Sequence, residues 1–110
     1  MSFAKSFLSA VLLVALVGCA AVDVTKTSKG FYNPTNPNDV DILKTRPVRA
    51  YEELGTITAV KFAVSDTAVM HNEIRGKSAA LGANAAILTE EGISEGSKKW
   101  ATGVAIRYKD

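Results

Sequence analysis

The sequence predicts a small two-layer α+β domain in the element order β-β-α-β-β, with one helix packed on a mixed sheet. Three observations predict it. Apolar and polar residues alternate over residues 39–42, and a β-branched, apolar stretch covers residues 54–62, both strand signals. Met70, Ile74, Ser78 and Leu81 recur at spacings of four, four and three, which places them on one face of a helix. Two further short apolar runs, residues 83–89 and 101–109, follow that helix. A chain of 110 residues has room for one such domain and no more.

In chain order, "VDILKTRPV" opens the domain. Val40 and Ile42 alternate with Asp39 and Asp41, and Pro47 ends the strand or sets a turn. "LGTITAVKF" is the second strand, with an ambiguous register. Ile57 and Ala59 share one face while Leu54, Val60 and Phe62 share the other, so a bulge at Gly55 is expected to reconcile them. Ser65 or Asp66 is the expected helix N-cap, and Gly82 the left-handed residue that closes the helix. Gly76, inside the helix, costs up to ~1 kcal/mol against Ala unless a backbone passes close by. "ANAAILT" and "ATGVAIRYK" are the last two strands, joined by a charged, Gly-punctuated loop, "EEGISEGSKKW". The strand–helix–strand portion is expected to be a right-handed parallel crossover, with the last strand returning antiparallel. Alanines at 79, 80, 83, 85 and 86 point to close helix–sheet packing. The sheet face without a helix is expected to be polar, or covered by the preceding segment, a second copy or a partner.

Ahead of the domain (residues 40–110) lie two other segments. Residues 1–18 read as a signal peptide: Lys5 supplies the positive start, residues 7–17 the apolar core, too short to span a bilayer as a helix. Leu16-Val17-Gly18-Cys19 resembles the bacterial lipobox. That resemblance implies cleavage between Gly18 and Cys19 and attachment of palmitate-type acyl chains at Cys19, the chain's single cysteine. Ala20, rather than Asp, follows it, which by the same resemblance implies sorting to the outer membrane of a Gram-negative envelope, facing the periplasm. Residues 19–39, rich in Thr, Ser, Asn and Pro, read as a flexible tether of roughly 25 Å reach. The pair Phe31-Tyr32 is the exception, expected to dock on the domain.

Composition excludes several functions. The net charge is +2 with Lys and Arg scattered, so no basic stripe exists for nucleic acid. A lone cysteine rules out the disulfides that exported domains of this size often use. The helical neighbours of His71 at three and four residues, Thr67, Ala68, Ile74 and Arg75, include no carboxylate or second His, so no metal site or cofactor is expected there. Glu90 and Glu91 are adjacent on a strand and point to opposite faces. Lys98 and Lys99 read as a solvated turn, with Trp100 folding back on the sheet. No nucleophile–base set, phosphate-cradling glycine loop or Walker-type lysine is present, so no enzyme is expected.

The stretches "YEELGTITA", "KSAALGANAAIL" and "WATGVAIRY" together resemble a group of small bacterial proteins. It includes the YbjQ-like proteins, labelled for heavy-metal binding, and the outer-membrane lipoprotein sensor of the Rcs envelope-stress pathway. The resemblance spans residues 47–108 and implies the fold rather than an activity, because the matching residues are caps, turns and core positions. The Rcs-type sensor carries paired cysteines in its domain; this chain has none there, so that mechanism is not carried over. The resulting expectation is a lipid-anchored, non-catalytic interaction module of the cell envelope, in stress sensing or assembly, bound to an envelope protein or to a second copy. The alternative is a small-ligand or metal-binding lipoprotein using the cleft near His71 and residues 90–99.

Overall fold

The computed structural model describes residues 19–110; the expected signal peptide, Gly18 included, lies outside the described residues. The fold is built around a long central strand, β3 (Tyr51–Ala63), whose Thr, Ile and Val content suits a pleated, half-buried surface. The other strands are β1 (Ala21–Lys26), β2 (Asp41–Leu43), β4 (Ala85–Ser94) and β5 (Lys98–Tyr108), and the helix is α1 (Thr67–Ala80). They form one five-stranded sheet in the order β1-β3-β5-β4-β2. The β2–β4 pair is parallel and the other three pairs are antiparallel. The sheet is therefore mixed, as expected, and one helix covers it. β3 and β4 do run parallel on either side of α1, but β5 is inserted between them.

Two register shifts settle the ambiguity in β3. One lies between Glu53 and Gly55, the other between Ala59 and Phe62, and together they bring Leu54, Ile57, Ala59 and Phe62 into one core. Met70, Ile74 and Ser78 of α1 face that core and are fully buried. Beneath them lie Ala59, Ala86, Ala101 and Ala105, side chains small enough to let the helix approach the sheet. Helix α1 ends as the sequence predicts. Gly82 N–H donates to the Ala79 carbonyl and Ala83 N–H to the Ser78 carbonyl, with Gly82 at φ +90°, the paired bonds of a Schellman cap. At the other end Asp66 holds the N-cap position but makes no side-chain cap bond; a short 3₁₀ turn (Val64–Asp66) leads in instead.

The segment expected to be a flexible tether is part of the fold. All six residues of β1 pair with β3, from Ala21↔Val60 to Lys26↔Gly55. The physical reason lies in "AVDVTK": Val22 and Val24 alternate with Asp23 and Thr25, and Val22 packs against the core. Residues 27–40 then run as a strap past the C-terminal end of α1 toward β2. Tyr32 Oη donates to Glu52 at 2.6 Å, and the Arg107 guanidinium stacks over the Tyr32 ring at 4.5 Å. Thr35 N–H donates to the Ala79 carbonyl at 2.9 Å and its hydroxyl to the Ala83 carbonyl at 2.6 Å. Of the Phe31-Tyr32 pair, only Tyr32 docks; Phe31 is 86% exposed. The domain thus begins at β1, not at residue 40, and the element order gains a strand.

The loop expected between the last strands is also ordered differently. β4 and β5 continue as a ribbon out to Ser94↔Lys98, leaving a short turn with Gly96 and Ser97 at positive φ. On the sheet face away from α1, Ala85, Ile87 and Ile106 form a second cluster, closed by Leu43, Tyr51, Val104 and Tyr108. The remainder of that face carries Thr56, Thr58, Thr89 and Thr102, and the last two bond to each other across the strands at 2.8 Å.

Candidate functional site

Cys19, the expected lipid-attachment residue, is exposed and stands directly before the fold. Ala20 alone separates it from the first residue of β1. Register shows what else occupies that end of the sheet. Ala21 pairs with Val60, Ala63 with Lys98, and Lys98 with Ser94, so the start of β1, the end of β3 and the tip of the β4–β5 ribbon stand together. The N-terminus of α1 rises from the same end. A groove of about 410 Å³ opens between β1 and α1, walled by Ala20, Ala21, Val22, Phe62, Ala63 and Val69, with Asp66, Glu73 and Lys77 completing its lining.

Lys61 at this end has φ +64°, a left-handed conformation uncommon for a residue with a side chain. It sits in the second register shift of β3, where Val60 and Lys61 together oppose Trp100. Trp100 packs across the ribbon onto Gly92, where a Cβ would come within 2.7 Å of the indole. The expectation that Trp100 folds back on the sheet is met, and Gly92 is the residue that permits it.

The sheet has two unequal edges. β2 is only three residues long, and its approach is braced by Arg75, whose Nε donates to the Val40 carbonyl at 3.1 Å. β1 forms the opposite edge, and its outer side offers a row of backbone donors and acceptors with Val24 exposed beside it. Such an edge is a template for an added strand.

His71, a boundary residue in the sequence with no carboxylate three or four residues away on its helix, meets one from β4. His71 Nε2–H donates to Glu91 Oε1 at 3.0 Å, and Lys99 Nζ lies 3.4 Å from Glu91 Oε2. A register shift between Leu88 and Glu90 turns Glu91 toward α1, beside Ala101, and leaves Glu90 exposed on the other side. Burial pulls the Glu91 carboxyl up, but the His71 hydrogen bond and the Lys99 charge outweigh it, so the net position is below the ordinary carboxylate range. Both carboxylate oxygens are engaged, so the cluster ties α1 to the ribbon rather than presenting an open ligand set. Among the described residues, no group of three or more His, Cys, Asp or Glu converges to hold a metal ion, and no helix is long and apolar enough to cross a membrane. His71 and Glu91 lie twenty residues apart on different elements, which is why helical spacing alone did not pair them.

Neither a protein-family model nor a curated protein matches the chain. The crystal structure of a Francisella virulence factor, FvfA, is similar in fold, with a TM-score of 0.62 at 16% identity, covering 84% of this chain and 100% of that one. The likeness shows a shared α+β architecture.

Proposed function

We propose that this protein is a lipid-anchored lipoprotein of the cell envelope, held in the outer membrane facing the periplasm, that works as a non-catalytic interaction module. The observation that carries the reading is the position of Cys19: the cysteine of a lipobox-like "LVGC" is exposed at the threshold of a folded domain. The resemblance of residues 47–108 to YbjQ-like and Rcs-sensor-like proteins supports an envelope role in stress sensing or assembly. The open β1 edge supplies an interaction surface, suited to a strand from an envelope protein or from a second copy. The alternative, ligand or metal binding beside His71, has less support, because Glu91 is already committed to His71 and Lys99.

Crosslinking with mass spectrometry on native membranes tests it, comparing wild type with Cys19→Ser. Repeated capture of one envelope protein, or of a second copy, that is lost in Cys19→Ser is the expected result. A protein that captures neither, while its soluble domain turns over a hydrolysable substrate, contradicts the reading.

A further inference from the structure

We infer that the Cys19 end of the sheet is seated on the bilayer surface, so that the domain is docked on the membrane rather than suspended from it. The inference rests on acylation of Cys19 as proposed above, and it adds a contact surface to that anchor.

Chain length is the first argument. A tether of twenty residues would let the domain float clear of the lipid, but β1 takes up its first part. From Cys19 to Ala21 the chain can span at most ~7 Å. The glycerol carried by an acylated Cys19 sits at headgroup level, and the polar layer on each side of the hydrocarbon core is roughly 5–8 Å deep. A strand that starts within one extended dipeptide of the anchor therefore has its end at that layer.

The composition of this end is the second argument. Val64, Val69 and Ile93 are 45%, 51% and 60% exposed, half of the protein's exposed large apolar side chains among the described residues, and all three belong to the elements that meet there. The groove walled by Val22, Phe62 and Val69 on one part of its lining, and by Asp66, Glu73 and Lys77 on the rest, opens beside Ala20. Exposed Lys61 and Lys98 stand among these residues, long side chains whose stems can lie along apolar surface while the ammonium groups reach lipid phosphates. Lys61 is held there by the left-handed backbone of the β3 bulge. The opposite end of the sheet, with Val48 fully exposed on the connection between β2 and β3, points away from the membrane in this arrangement.

The test uses the full acylated chain in vesicles of phosphatidylethanolamine and phosphatidylglycerol. Acylation consumes Cys19, so a nitroxide can be placed singly through Val64→Cys, Ile93→Cys or Val48→Cys, all exposed positions. Accessibility to oxygen, which partitions into lipid, is compared with accessibility to a water-soluble nickel chelate. Docking predicts an oxygen-to-nickel ratio severalfold higher at positions 64 and 93 than at 48. Equal ratios at all three, in protein that floats with the vesicles, overturn docking while leaving the anchor intact. Dipolar broadening at 64 and 93 without a raised ratio assigns the face to a second copy and also overturns it. Protein that does not float overturns both docking and the anchor.

Discussion

Ala21 pairs with Val60 only two positions after Cys19, so the first hydrogen-bonded register of the sheet stands at the proposed site of acylation. The segment that composition marks as a linker is thereby divided into an edge strand and a strap. Both contribute to the core: Val22 packs against it from β1, Tyr32 from the strap, and Val40 is 2% exposed at the strap's end.

Removing residues 20–39 should therefore cost stability, not only reach. Loss of Val22 and Tyr32 packing alone is worth about 2–4 kcal/mol. A domain that begins at residue 40 should melt well below one that begins at residue 20, followed by circular dichroism. Equal melting temperatures would mean that β1 and the strap are not part of the cooperative unit.

The helix glycines should respond in opposite directions. Among the described residues nothing lies within 4 Å of a Cβ built on Gly76, so Gly76→Ala should stabilise by up to ~1 kcal/mol through helix propensity. At Gly82 the Cβ would come within 2.6 Å of Tyr32 Cβ, and φ is +90°. Gly82→Ala should destabilise by more than ~1 kcal/mol. Urea midpoints of the two variants check both signs.

Ser78 offers a third stability test. Its hydroxyl is fully buried in the helix–sheet interface and has no hydrogen-bond partner among the described residues. An unpaired buried polar group is unfavourable by about 1–3 kcal/mol, so Ser78→Ala should be neutral or stabilising, whereas Ile74→Ala, in the same stripe, should cost about 2–5 kcal/mol. Chemical denaturation of the pair separates an unsatisfied hydroxyl from an ordinary core contact.

Acidification should loosen the attachment of α1 to the ribbon. Because the folded state holds the Glu91 carboxyl below its ordinary value of 4.5, this contribution is fully present above that value and is lost as the pH falls through the depressed one. Glu91→Gln should flatten the acid limb of the stability–pH curve, and His71→Ala should do so in part. A limb of unchanged slope in Glu91→Gln would show that the clamp carries no linkage.

Much of the fold was legible because local signals agreed with packing. The stripe Met70, Ile74 and Ser78, the cap at Gly82 and the bulge at Gly55 each follow from residue type and spacing, and each is found. β1 was obscured because its two-valine alternation is short and sits in a stretch rich in Thr, Ser, Asn and Pro. A strand that half-buries one side chain, Val22, leaves little pattern to read. The ribbon over residues 90–100 has the glycine content of a loop, but its glycines serve Trp100 packing and the turn rather than flexibility. The His71–Glu91–Lys99 cluster joins α1 with both strands of the ribbon, and no spacing within one element encodes it.

The central claim, that Cys19 carries the anchor, is tested most directly by metabolic labelling with palmitate followed by membrane fractionation. Wild type should take up label and fractionate with the outer membrane, and Cys19→Ser should take up none and leave that fraction. Label retained in Cys19→Ser, or wild type that stays unlabelled with residues 1–18 still attached, would contradict the account.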